Sequence, residues 1–292
     1  MIERILNVLE IAVTRGAEQI LAARQAGDVE AGYKDARELV TEADRRSDAA
    51  ILATFQELFP AIDPEIAFHL EESGITGTAG SKIAGADPLD GTNHFACGGA
   101  WYSVQAHYVE DGVPLAGIVL QPEVFLPLAE TGGPLGRIVK ATKGGGAWVA
   151  RTELRDGTLQ IGEYRRVRKR PNPATRTYAA CIPLSTKMTD EERQRALRVY
   201  DSGLLAVTTG TGGAGANVLM AIFGGHHVYA NFGAGEDLDL IPPQVIAEEA
   251  GLTVWDRDGR PPRWSGIKKQ PFLVAPDEAV ARLFLNAAGL GT

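Results

Sequence analysis

Ala86-Asp87-Pro88-Leu89-Asp90-Gly91-Thr92 closes an apolar run and opens a turn. Two carboxylates flank a proline whose ring fixes φ and removes an amide donor, and Gly91 lets the backbone approach a ligand closely. Asp87, the Leu89 carbonyl and Asp90 are thereby able to face one point, with the amides of Gly91 and Thr92 facing an anion. Hard oxygen donors at this spacing suit Mg2+. Alone, the segment reads as an Asx turn that ends a strand; its neighbours along the chain alter that reading.

Upstream, Leu70-Glu71-Glu72-Ser73 ends a second apolar strand, and Leu39-Val40-Thr41-Glu42-Ala43-Asp44 enters a helix for which Asp44 suits the N-cap. Downstream, Asp239 stands ten residues before Glu249 and just ahead of a helix expected to begin at Pro242, with Glu236 and Asp237 as lesser candidates for the same role. Gly210-Thr211-Gly212-Gly213-Ala214-Gly215 spells G-x-G-x-x-G between a strand and a helix, a weak dinucleotide signal that competes with simple pocket lining. The basic run Arg165 to Arg170 alternates about Val167 like a strand with a charged outer face. His226-His227 points to opposite strand faces and is given no role.

Periodicity supplies the frame. Helical spacing predicts a long amphipathic helix over 1–26, a loop over 27–37 and a helix over 44–59. Short apolar runs at 66–70, 81–86, 101–109, 117–121, 138–142 and 147–150 predict strands of one sheet. Beyond a polar stretch near Asp156, strands at 178–182, 204–208, 227–230, 253–255 and 272–275 alternate with helices at 190–200, 215–223, 242–250 and 277–287. The chain of 292 residues carries 37 Asp and Glu against 29 Lys and Arg, a net charge of −8 that argues against binding a nucleic-acid backbone. Cys97 and Cys181 form no C-x-x-C pair, and no apolar run reaches the roughly 20 residues of a membrane span. A cytoplasmic protein without a membrane partner is expected.

Taken in order, L-V-T-x-x-D, E-E-S, D-P-x-D-G-T and an acidic residue ahead of Glu249-Ala250-Gly251 resemble the inositol monophosphatase family, Mg2+-dependent and lithium-sensitive phosphatases of sugars and nucleotides. The resemblance implies an α+β fold layered α/β/α/β/α, with residues 1–152 carrying most metal ligands and an α/β part, 153–292, completing the site. It implies that Glu71, Asp87 and the Leu89 carbonyl hold one Mg2+ and that Asp87, Asp90 and Asp239 hold a second. A third, weaker ion would use Glu71, near a loop containing Lys34, with Glu72 in a supporting place. Asp44, Thr92 and Glu71 become the expected catalytic residues, Thr92 and Asp44 orienting and deprotonating the water that attacks phosphorus. Gly91, Thr92, Asn93, His94, Gly213 and Asn231 become the expected substrate contacts. Asn231 stands where inositol phosphatases usually have Glu.

The implied substrate is a small phosphorylated sugar or cyclitol, and the implied assembly a homodimer. Histidinol phosphate, fructose 1,6-bisphosphate or a 3′-phosphonucleotide are alternatives within the family. An NAD-binding oxidoreductase using Gly210 to Gly215, or an inactive phosphatase-like binding protein, are alternatives outside it.

Overall fold

Ile5, Leu9, Ala12, Val13, Ala17, Ile20 and Leu21 recur at helical spacing and are buried along one stripe of α1 (Ile2–Ala26), which ends where Gly27 adopts a left-handed conformation. A computed structural model describes the chain apart from residues 28–30, 34–38, 78–79, 126–134, 173–174, 186–187, 209, 211, 234, 266–268 and 292. After α1 come a small hairpin of β1 (Ala31–Tyr33) and β2 (Leu39–Thr41), then α2 (Glu42–Leu58). The next strands are β3 (Ala67–Leu70), β4 (Gly74–Thr76) and β5 (Lys82–Asp90), followed by the short α3 (Thr92–Ala96). A meander continues through β6 (Ser103–Glu110), β7 (Val113–Phe125), β8 (Leu135–Thr142), β9 (Gly146–Arg155), β10 (Thr158–Ile161) and β11 (Arg165–Arg166). These strands form one sheet in the order β10-β9-β8-β7-β6-β5-β3-β4, with β11 also on β9. All pairs are antiparallel except β3 with β5.

The second sheet joins β12 (Tyr178–Cys181), β13 (Leu205–Thr208), β14 (Val228–Asn231), β15 (Thr253–Trp255) and β16 (Phe272–Ala275) in the order β13-β12-β14-β16-β15. Its helices are α4 (Asp190–Asp201), α5 (Ala214–Phe223), α6 (Asp237–Glu249) and α7 (Glu278–Ala288). Three buried clusters define the layering. One lies between α1, α2 and the first sheet, one gathers α5 and α6 between the two sheets, and one joins the far face of the second sheet to α4 and α7. The architecture is therefore α/β/α/β/α, as the resemblance implied.

Four local expectations need correction. Part of the expected loop at 27–37 is strand β1, paired with β2. Asp44 is not the N-cap of α2: Thr41 is, because its hydroxyl accepts from the Asp44 amide while the Asp44 carboxylate accepts from the Thr41 amide, a reciprocal box that starts the helix at Glu42. The helix expected from Pro242 begins at Asp237, so Asp239 lies in its first turn and Pro242 and Pro243 lie inside it. His226 and His227 precede β14 rather than alternate along it. Strand β9 spans residues 146–155, and β10 and β11 extend the first sheet beyond it. Among the described residues no helix is long and apolar enough to cross a membrane.

The middle helices reach the first sheet only because side chains are missing there. At Gly117 on β7 a Cβ atom would stand 2.4 Å from the Pro242 carbonyl oxygen, so α6 lies directly on bare backbone. Gly117→Ala is expected to destabilise the protein by about 1–3 kcal/mol through overpacking. An unchanged urea midpoint would show that α6 is free to shift away.

Candidate active site

A register shift in β5 builds the centre of the site. Asp87 pairs with Gln105 and Asp90 with Ser103 on β6, so three steps along β5 match two on its neighbour. Side chains of a regular strand alternate, and residues three apart would face opposite sides. The extra residue, a bulge at Pro88 and Leu89, turns both carboxylates to the face covered by α5 and α6. Pro88 has no amide to lose from the ladder, and the Ser47 hydroxyl of α2 donates to its carbonyl at 2.9 Å. The Leu89 amide donates to Asp87 Oδ1 at 2.9 Å.

Asp239 reaches the same place from α6, and single carboxylate oxygens of Asp87, Asp90 and Asp239 lie within 4.8 Å of one another. Glu71 follows β3, where its amide donates to the Ala86 carbonyl at 3.3 Å, and its carboxylate acts on those of Asp87, Asp90 and Asp239. The turn bearing Glu71 is held from α2, since buried Asp48 accepts from the Glu72 amide at 3.2 Å and from Ser73. Of the second-domain alternatives, Asp237 instead faces His69 at 3.8 Å, and Glu236 pairs with Lys269 at 2.9 Å while lining the cleft beside Asp239. Lys34 lies outside the described residues.

Asp90 is bound from two sides. The amides of Ala214 and Gly215 at the start of α5 donate to its two oxygens at 2.9 and 2.8 Å, and the Ser103 hydroxyl donates at 3.0 Å. The glycine pattern owes its form to this approach: a Cβ at Gly213 would stand 1.9 Å from Asp90 Oδ1, and one at Gly212 1.7 Å from the Trp101 carbonyl oxygen. The helix end that a pyrophosphate would use in a dinucleotide fold thus receives a carboxylate of the chain itself. Gly91, left-handed at φ 100°, packs against the same segment.

Beside the carboxylates, the Thr92 hydroxyl lies 2.9 Å from Asp44 Oδ1 and 3.0 Å from the Leu89 carbonyl oxygen. The other Asp44 oxygen is held by the amide and hydroxyl of Thr41. Asn93, His94, Gly213 and Asn231 line an open cleft of about 710 Å3 together with Asp90 and Asp239. Asn231 sits at the end of β14, its Oδ1 accepting from the Gly233 amide at 3.0 Å. Ser103, Gln105 and Asp48 carry no sequence motif, and Thr41 stands in the L-V-T-x-x-D segment without an expected role. Only Thr41 carried a signal, as the first member of a Thr-x-x-Asp capping box.

The carboxylates raise one another's proton affinity. Burial chiefly, then Glu71, Asp90 and Asp239, hold Asp87 well above the usual carboxylate range. Burial again, then Asp90, Glu71 and Glu236, do the same for Asp239. Burial pushes Asp90 up to about 6 despite the donors that favour its ionised form. Asp44 is raised by burial against its hydrogen bonds. A set of hard anionic oxygens that repel one another fits a divalent cation. Gln105 adds to the fit: it is fully buried beside Asp87 in register, yet among the described residues neither amide atom has a hydrogen-bond partner. Ordinary packing satisfies such a group, whereas a hydrated ion offers it partners.

A carboxylate raised to about 6 contributes stability that is full below its unfolded value and lost as pH rises through about 6. Bound Mg2+ acts in the opposite sense, because it needs the ionised forms. The rise in melting temperature on adding Mg2+ is therefore expected to be larger near pH ~7.5 than near pH ~5. An equal rise at both, measured by thermal denaturation, would separate these carboxylates from the ion.

Comparison with known proteins accords with this geometry. The chain is 35% identical over 151 residues to the chloroplastic phosphatase IMPL1 of Arabidopsis thaliana, a match covering 49% of this chain and 36% of that protein. It is 36% identical over 106 residues to an inositol-1-monophosphatase of Synechocystis, covering 35% of this chain and 36% of that protein. The chain thus spans well under two thirds of the length of these curated relatives. The crystal structure of the extragenic suppressor protein suhB of Bartonella henselae superposes with a TM-score of 0.72 over 99% of both chains at 21% identity, which shows a common fold. A family model, the inositol monophosphatase family, matches residues 1–287, and the chain belongs to that family.

Proposed function

We propose that the protein is a Mg2+-dependent phosphatase that hydrolyses the phosphate monoester of a small sugar or cyclitol. The observation that carries this reading is the bulge that turns Asp87 and Asp90 onto one face, against Asp239 and beside the Thr92–Asp44 pair. Glu71, Asp87, the Leu89 carbonyl, Asp90 and Asp239 are the residues that would hold two or three Mg2+ ions. The chemistry supplied by bound Mg2+ is charge offset at the phosphoryl oxygens and generation of a nucleophilic water at neutral pH.

The protein's own residues supply direction and proton acceptance. With its hydrogen directed to Asp44, the Thr92 hydroxyl keeps lone pairs to accept from the attacking water and so fixes its line of approach. Asp44 is the terminal acceptor. Its burial raises its proton affinity, and Thr41 prevents its carboxylate from turning away. Asn93 and His94 flank the entrance used by the phosphate, while Asn231 presents a neutral amide to the alcohol. An amide both donates and accepts, which suits a polyhydroxylated leaving group without demanding a particular hydroxyl pattern. The family likeness extends the proposal to inhibition by Li+, to homodimerisation and to a cytoplasmic setting.

Phosphate release from a panel of sugar and cyclitol monophosphates should require Mg2+ and stop in excess chelator; release that persists in chelator sinks the mechanism. Thr92→Ala is expected to lower kcat by about 100-fold or more. Its Mg2+ affinity should stay near that of the unaltered protein, and a variant that lost affinity but kept its rate would assign Thr92 to metal placement instead.

A further inference from the structure

Four residues form a row across the first sheet on the face that meets α6. His69 on β3 pairs with Gly85 on β5, Gly85 with His107 on β6, and His107 with Gly117 on β7. The glycines make a trough. A Cβ at Gly85 would stand 2.4 Å from the His107 ring and 3.1 Å from Leu238 Cδ2 of α6, just as one at Gly117 would meet Pro242. The His107 ring fills the space over Gly85 and is 2% exposed. At the end of the row, His69 Nδ1 lies 3.8 Å from Asp237 Oδ2, both side chains being 18% exposed.

This row adjoins the carboxylates. Two residues beyond His69 on the same face stands Glu71, and two beyond Gly85 stands Asp87. On α6, Asp237 and Asp239 are separated by about 200° around the axis. Holding Asp237 toward β3 therefore sets the direction in which Asp239 points. The first turn of α6 has few internal means of fixing that rotation. Its N-cap, Glu236, makes no side-chain capping bond, and Pro242 and Pro243 cannot donate to the carbonyls of Leu238 and Asp239.

We propose that His69 and Asp237 form a latch that fixes the rotation of the first turn of α6 and thereby holds Asp239 against Asp87 and Asp90. Both are positioning residues, and the inference rests on the metal-dependent reading given above. The latch joins the strand that delivers Glu71 to the helix that delivers Asp239, so it governs whether ligands from the two halves of the chain arrive together. The histidine–carboxylate pair is needed for the alignment of the cation site and not for the chemical step.

The test is calorimetric titration of the whole protein with Mn2+ alone, beside kcat at saturating Mg2+ and the melting temperature without added metal. His69→Ala and Asp237→Ala are each expected to weaken Mn2+ binding by about fivefold or more, and the double variant no further than either single one. Values of kcat at saturating Mg2+ should stay within about threefold of the unaltered protein, because ligand alignment is recovered at high ion concentration. If an alanine variant fails to melt cooperatively, the near-isosteric Asp237→Asn, which removes the charge facing His69, carries the same expectation. Unchanged Mn2+ affinity, with or without a lower melting temperature, overturns the latch, as do losses that multiply in the double variant. Failure of the unaltered protein to bind Mn2+ would overturn the metal-dependent function and the latch with it; binding there with unaffected variants removes the latch alone.

Discussion

One added residue in β5 sets the arrangement of everything near the cleft. Without the bulge at Pro88 and Leu89, the alternation of the strand would send Asp87 and Asp90 to opposite faces of the sheet, one toward α1 and α2 and the other toward α5 and α6. The bulge also leaves the Leu89 carbonyl and the Thr92 hydroxyl close together at the strand's end. Its cost is a broken ladder, and the Ser47 and Leu89 hydrogen bonds offset part of that cost. Proline is the one residue whose absence from the ladder loses no donor, so the sequence places it where the register must slip.

Around that bulge the chain gathers negative charge and then brings positive dipole ends to meet it. The start of α5 donates two amides to Asp90, and the start of α2 carries Asp44 in its first turn, where the helix dipole favours an anion. These contacts do not neutralise the cluster, since burial still dominates for Asp87, Asp90 and Asp239. A protein that is acidic overall thus gathers mutual repulsion at one point, and hard oxygens so placed suit a divalent cation. The net charge of −8, which counts against polyanionic partners, is for that reason no obstacle to a small phosphate ester.

The legible parts of the molecule are those written in local chemistry. The order of the acidic segments, with D-P-x-D-G-T at its centre, gave the fold class, and helical or alternating patterns located most elements. Short-range rules misjudged Asp44, because a carboxylate before an apolar run satisfies the N-cap and the third helical position equally well, and Thr41 decides between them only through geometry. They also misplaced the start of α6, because Pro242 reads as a first-turn residue when the apolar stripe is the only guide. Other residues had no local signal at all. Gln105, His107 and His69 owe their surroundings to the register of four paired strands, and a one-residue slip would place each on the opposite face. The glycine pattern at 210–215 was ambiguous for a related reason, since the anion it approaches is supplied by another part of the chain.

The middle helical layer, shared by both sheets, has a consequence for how the protein comes into being. Its apolar cluster takes Val119 and Val139 from the first sheet, Val218 and Ile241 from the helices, and Tyr229 and Phe272 from the second sheet. Neither sheet has its inner face covered until α5 and α6 are in place. A nascent chain that has emerged only through β9 therefore exposes that face, and the contacts that close it are of long sequence separation, the kind that slow folding. Asp239 arrives with the same helix that seals this layer. The grouping of Asp87, Asp90 and Asp239 is accordingly complete only once this layer closes, so a divalent cation held there under the proposed function would stabilise the completed fold rather than an open one.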